Sequence, residues 1–137
     1  NVYALREALR LVAEEGIEER WDRHERVAGA LKAGVEAMGL GLNPEDDYWL
    51  PSLNAVRVPD GVDDGEVIDY VLEHYDLEIA SGLGDLEGDV FRIGCMGHGA
   101  RPENVTLVLA ALADAFDALG ADVDAAAGMA AAREQLR

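Results

Sequence analysis

Apolar residues recur along this chain with two different periods, and the changes between them mark its elements. From residue 3 to residue 15, Leu5, Leu9 and Val12 fall on one side of a predicted helix, which Gly16 interrupts. The next segment carries the clearest stripe. Ile17, Trp21, His24, Ala28, Leu31, Val35 and Met38 step by four and three in turn, the spacing of one helix face. Glu19 with Arg23 and Asp22 with Arg26 stand four apart on the other side, as surface ion pairs do, and Gly39 supplies a stop.

Residues 43 to 52, punctuated by Pro44 and Pro51, read as a loop. Leu53 to Val58 reads as a strand ending at Pro59. Asp63 with Glu66 makes a capping-box-like start for a helix running to about His74, with Val67, Val71 and Leu72 as its buried positions. Leu77 to Ile79 is a short predicted strand, Ser81 to Gly88 a loop, and residues 90 to 95 a further strand. Pro102 suits the first turn of a helix whose inner stripe is Val105, Val108 or Leu109, Leu112, Phe116 and Leu119, closed by Gly120. Residues 121–137 are alanine-rich and carry a last, weaker helix over 123–136. The order α, α, β, α, β, β, α, α predicts an α/β fold, a two-layer sandwich in which helices cover a small mixed sheet.

At 137 residues, half of them apolar, the chain is expected to form one domain, residues 1–137, with a real core. The longest unbroken apolar run, Leu107 to Ala113, is far short of the ~20 residues that span a bilayer, so no membrane is expected. One cysteine excludes an internal disulfide and fits a cytoplasmic setting. The first residue is Asn1 and leads straight into a helix with no start or export segment, so the expectation is a piece of a larger protein. A net charge of −17 would repel nucleic-acid phosphates. The acids are dispersed, as at Glu14, Glu18, Asp46, Asp63, Asp76, Asp89, Asp114 and Asp122, and Lys32 is the only lysine beside ten arginines. An acidic surface so poor in lysine resembles that of salt-in halophiles, which rely on charge for solubility.

The most informative run is Phe91-Arg-Ile-Gly-Cys-Met-Gly-His-Gly-Ala-Arg-Pro-Glu-Asn-Val105. In a strand over 90–95, Phe91, Ile93 and Cys95 share one face, while Val90, Arg92 and Gly94 share the other, leaving space beside Arg92. A guanidinium among apolar neighbours calls for an anionic partner, and a carboxylate matches its fork. That carboxylate belongs either to one of the 28 acidic residues of the chain or to a ligand.

The words around Arg92 bear on the choice. Tyr75-Asp-Leu-Glu-Ile79, Ser81-Gly-Leu-Gly84, Arg92-Ile-Gly94, Cys95-Met96-Gly97 and Arg101-Pro-Glu-Asn-Val105 occur in order. They resemble the C-terminal part of class V aminotransferases, the alanine–glyoxylate and serine–pyruvate branch. Ala55-Val-Arg-Val-Pro59 and Tyr3-Ala-Leu-Arg-Glu-Ala-Leu9 extend the likeness upstream. The resemblance implies the small C-terminal domain of a fold-type-I enzyme that uses pyridoxal phosphate, from a homodimeric parent, and the acidic surface adds a haloarchaeal source. It implies that Arg92 binds the α-carboxylate of a small amino acid or 2-oxo acid. It also implies that the cofactor is held by a large domain outside this chain, so that catalytic and cofactor-binding residues are none here. By the same token, this chain alone is expected to be inactive. The alternative is a stand-alone α/β module that binds a carboxylate through Arg92 and is not an enzyme.

The remaining candidates read as structural. Lys32, beside the apolar stripe, is expected in an ordinary solvated position and not as the Schiff-base lysine. Gly82-Leu-Gly84 joins strand to strand, so it is not a dinucleotide loop. Cys95 evokes the nucleophile of a class V desulfurase, but a core-facing thiol is inert. His24 on the stripe reads as a hydrogen-bonded core residue and His74 as a favourable charge at a helix end, while His98, in the turn after the strand, is either a residue that approaches the active site or a plain turn residue. No group of side chains has metal-ligand spacing, and the sequon Asn104-Val-Thr106 falls in a helix.

Overall fold

Gly16, with φ of +87°, divides the first forty residues into two helices. α1 spans Val2–Glu15 and α2 spans Ile17–Ala37 in the computed structural model, which describes residues 1–44 and 48–137. Four strands follow the helical pair, interleaved with three more helices. They are β1 (Leu42–Asn43), β2 (Leu53–Arg57), α3 (Asp64–Tyr75), β3 (Ala80–Ser81), β4 (Val90–Gly94), α4 (Pro102–Ala118) and α5 (Ala125–Gln135). The sheet order is β1-β2-β4-β3. The α/β two-layer arrangement agrees with the sequence pattern, but every strand pair is antiparallel, so the sheet is not mixed. α3 crosses from β2 to β3, which run parallel to each other on either side of the antiparallel β4.

In β2 and β4 the alternation is as expected. Asn54 faces Ile93 and Val56 faces Phe91 in register, and all four are buried on the helix-covered side. There they meet Leu31, Val35, Leu109, Leu112 and Phe116 from α2 and α4. Ala55 faces Arg92 on the opposite side. α5 crosses α2 so closely that a Cβ on Gly128 would lie 2.9 Å from the Gly34 carbonyl oxygen and 2.3 Å from Met38 Cγ. Two glycines here admit backbone contact that any larger side chain would prevent.

Several sequence expectations shift. α1 buries none of its residues; Leu5 and Leu9 are exposed, because the main packing of α1 is against α2 and not against the core. The stripe of α2 is buried only from Val27 onward. Ile17 and Trp21 stand out in solvent, Trp21 63% exposed, because a helix of this length, ~1.5 Å per residue, outruns the sheet and helices packed on its other end. Asp63 caps α3 by accepting from the Glu66 N–H, but Leu72 is exposed. The strand expected at 77–79 forms three residues later. Asp76, at φ of 50°, closes α3 with N–H bonds from Asp76 and Leu77 back to Leu72 and Val71, and the chain then needs Leu77–Ile79 to reach the sheet. Leu119, expected on the inner stripe of α4, is exposed, because it lies beyond the helix's last turn. β1 had no counterpart in the sequence reading. It takes two residues of the expected 43–52 loop and its approach, while 45–47, including Asp46, lie outside the described residues. No described helix is long and apolar enough to cross a membrane.

Candidate functional site

Arg92 stands half-buried in the middle of β4, on the face away from the helices. Its Nε donates to the Ser81 carbonyl at 2.7 Å. Among the described residues no carboxylate reaches its guanidinium. The internal ion pair is therefore absent there, and the two terminal nitrogens are directed by an anchor on the third. Ser81 is itself fixed: it pairs with Phe91 in the sheet, and its Oγ accepts from the Gly88 N–H at 3.2 Å, closing the 81–88 loop. Gly82 makes that closure feasible, since a Cβ there would fall 1.8 Å from the Leu86 carbonyl oxygen. The space expected beside Gly94 is narrowed by the tip of Met96, 3.1 Å from where a Cβ would sit.

Arg92 opens on a cleft of ≈ 290 Å³, walled chiefly by Trp49, Leu50, Leu53, Leu83 and Leu86. Arg92 is its only charged lining residue among those described. An apolar pocket with one fixed cation suits a small molecule bearing one carboxylate. The sequence reading missed Trp49 and Asn54. The Trp49 indole N–H donates to Asn54 Oδ1 at 2.9 Å, and Lys32 Nζ sits 5.5 Å above the ring. Lys32 is thus not in the plain solvated position expected of it: it covers Trp49, lies 3.9 Å from Glu36, and does not line the cleft. The available clue was an asparagine at an inward register position of a strand otherwise built for the core.

Cys95 follows β4 on the helix side. It is buried, and burial pushes its thiol up to about 11, the opposite of what a nucleophilic cysteine requires. The three histidines are dispersed. His24 Nε2 accepts the Gly97 N–H at 2.9 Å, which leaves Nδ1 to carry the proton and donate to the Arg20 carbonyl at 2.6 Å. It is a satisfied structural residue, as its place on the stripe suggests. His98 is exposed and meets Arg101 at 2.8 Å, away from the Arg92 cleft. His74, in the last turn of α3, stacks on Tyr70 with ring centres 4.1 Å apart. Nearby, the hydroxyls of Tyr70 and Tyr75 both donate to Asp114 Oδ2, at 3.0 and 2.9 Å. This ties α3 to α4 and raises both phenols above their ordinary range.

A second, larger cleft of ≈ 670 Å³ lies between α1, α2 and the turn after β4, and gathers Arg20, Arg23, His98 and Arg101. These cations are largely committed. Arg23 Nε and Nη2 engage Glu15, while Nη1 donates to the carbonyls of Gly97 and Ala100 at 3.0 and 2.7 Å. Arg20 donates at 2.7 Å to Glu15 Oε2, the oxygen that Arg23 Nη2 also reaches. The partner of Arg23 is therefore Glu15 on α1 and not Glu19 one turn away, because the bend at Gly16 brings Glu15 back over α2. Glu15 is held at about 2, first by the Arg23 bond and then by Arg20, against the cost of desolvation. No metal-binding group of His, Cys, Asp and Glu exists among the described residues.

No protein-family model matches the chain. It is 48% identical over 111 residues to the (S)-ureidoglycine–glyoxylate transaminase of Bacillus subtilis, covering 81% of this chain and 27% of that protein. It is 41% identical over 117 residues to the alanine–glyoxylate aminotransferase of Felis catus, covering 85% of this chain and 28% of the relative. Among solved structures, the ureidoglycine–glyoxylate aminotransferase of Bacillus subtilis superposes with a TM-score of 0.93 at 43% identity, over 97% of this chain and 34% of that one. Pyridoxamine–pyruvate aminotransferase of Mesorhizobium loti gives 0.89 at 37%, over 93% and 33%. The chain spans about a third of the length of these relatives. Over nearly all its residues it carries the fold, and much of the sequence, of the C-terminal domain of such aminotransferases.

Proposed function

We propose that this chain is the carboxylate-binding small domain of a class V, pyridoxal-phosphate-dependent aminotransferase. The parent moves an amino group between a small amino acid, alanine or serine, and a 2-oxo acid, glyoxylate or pyruvate. The observation that carries the reading is Arg92. Its guanidinium is anchored at one nitrogen by the Ser81 carbonyl, is unpaired among the described carboxylates, and opens on an apolar cleft. Relatives named as glyoxylate and pyruvate aminotransferases supply the direction. The anchor fixes the plane of the fork, so a carboxylate meeting both terminal nitrogens is oriented as well as attracted.

The residues present do not fit the cofactor. The only lysine, Lys32, is occupied above Trp49 and lies off the cleft. Pyridoxal phosphate would be held by parts of the parent outside these residues, and the work of this domain is to bind and orient the substrate carboxylate. In the full-length enzyme, Arg92→Lys should lower kcat/KM with alanine and glyoxylate by at least ~2 kcal/mol, roughly thirtyfold, since one ammonium cannot replace two parallel bonds. Near-normal turnover would show that the carboxylate is bound elsewhere.

The parent is further read as a homodimer from the resemblance, as cytoplasmic from the single cysteine, and as the protein of a salt-in halophile from the −17 charge and the single lysine. Acidic self-repulsion is screened as the Debye length falls from ~30 Å at 0.01 M salt to ~3 Å at 1 M. The enzyme should then melt at a clearly higher temperature in molar potassium chloride than in dilute buffer. Flat melting across that range would remove the halophile reading.

A further inference from the structure

Asn54 is the single buried polar side chain among the described residues. It lies on the inner face of β2, beside Val56 and across from Ile93, where an apolar residue of similar size would fill the site with no polar group to desolvate. Its amide nitrogen finds only the Pro51 and Ile93 carbonyls, both at 3.5 Å, the outer limit of a hydrogen bond. The one well-made bond is from Oδ1 to the Trp49 indole N–H at 2.9 Å. The neighbours of Trp49 are turned outward, Tyr48 83% and Leu50 56% exposed. Trp49 alone of the three is drawn inward, held at its nitrogen by Asn54 and covered on its ring by Lys32. Trp49 is also one of the residues lining the cleft that Arg92 opens on.

On the reading that Arg92 holds the substrate carboxylate, we infer that Trp49 is the specificity wall of that cleft and Asn54 its positioning residue. Together they restrict the substrate to a single carboxylate with a short side chain. With the carboxylate clamped at Arg92, the rest of the molecule must lie along the apolar wall. No second cation among the described lining residues could receive a distal carboxylate. A rigid indole limits how far a side chain can extend. An untethered ring could swing aside and admit longer substrates.

The test is the ratio of kcat/KM for norvaline to that for alanine in the full-length enzyme, with glyoxylate as acceptor. Trp49→Ala should raise this ratio at least tenfold, roughly the discrimination a tight apolar wall exerts over added methylenes. Trp49→Phe, which keeps a ring and lacks the N–H, should raise it less. Asn54→Val should shift the ratio in the same direction, and adding it to Trp49→Phe should produce no further change, because the bond it serves is already gone. The Trp49 pair decides the wall even where Asn54→Val does not fold. A ratio within about twofold of the parent in Trp49→Ala, far below that discrimination, would overturn the inference. Additivity in the double variant would overturn the tether. Both results leave the underlying reading standing as long as Arg92→Lys remains impaired. An active Arg92→Lys enzyme removes the reading itself.

Discussion

Two clefts of this molecule, the one at Arg23 and the one at Arg92, contain the same chemistry in opposite states. The larger gathers three arginines and a histidine, yet Arg23 is spent on Glu15 and two backbone carbonyls, and Arg20 also on Glu15. The smaller contains one arginine, secured at a single nitrogen. Counting cations would choose the first as an anion site. Tracing each donor to its acceptor chooses the second. The difference is one of satisfaction: a guanidinium with its donors filled holds a fold together, and one with its terminal donors open can hold a ligand.

The sharpest way to break this comparison is to remove one arginine from each cleft. Arg23→Ala leaves the Gly97 and Ala100 carbonyls without their donor, and should cost about 2 kcal/mol of stability, the scale of charged hydrogen bonds. The substrate KM of the full-length enzyme should hardly move. Arg92→Gln should do the reverse, costing no more than about 1 kcal/mol, the worth of one ordinary hydrogen bond, while KM rises steeply. Equal losses of stability in urea titrations of the two variants would erase the distinction.

A smaller effect should follow pH. Glu15 is depressed from 4.5 to about 2 in the folded protein, chiefly by Arg23. A carboxylate so depressed contributes stability that is complete above about 4.5 and is lost as pH falls toward 2. Melting curves of the parent and of Glu15→Gln should therefore lie furthest apart above pH 4.5 and converge toward pH 2. Curves that stay parallel would mean the Arg23 bond does not govern Glu15. The mildest probe concerns the side of β4 opposite Arg92. With its thiol near 11, Cys95 should resist iodoacetamide at pH 8 in the native protein and react on unfolding, since only about one part in a thousand is thiolate. Rapid native labelling would mean that the helix-covered side is open too.

What was legible in the sequence follows from the kind of rule each feature obeys. The faces of β4 could be read because Phe91, Ile93 and Cys95 alternate with Val90, Arg92 and Gly94 under a strict period of two, and the core enforced it. The stripe of α1 was equally regular and misleading: periodicity shows that a face is apolar, and carries no information on what covers it. The Glu19–Arg23 pair failed because the four-residue rule describes an isolated helix, and the bend at Gly16 offered Arg23 a better acceptor in Glu15. The Trp49–Asn54 bond crosses a turn with no period, so only the oddity of an inward asparagine could have revealed it. The location of Arg92 was legible. Its anchor was not, because the Ser81 carbonyl belongs to the backbone, and no side chain announces it.

Gly82 brings no side chain to the cleft it helps to line, yet the aim of Arg92 depends on it. The loop can fold back on itself only where a hydrogen stands in place of a methyl, and the next carbonyl upstream is the one that steers the guanidinium. A catalogue of groups able to meet a substrate would pass over this position. An evolving lineage would find it closed, since even alanine there would force Leu86 out of the cleft wall and turn the arginine with it. The narrowest tolerance of the site is thus held by the smallest residue near it.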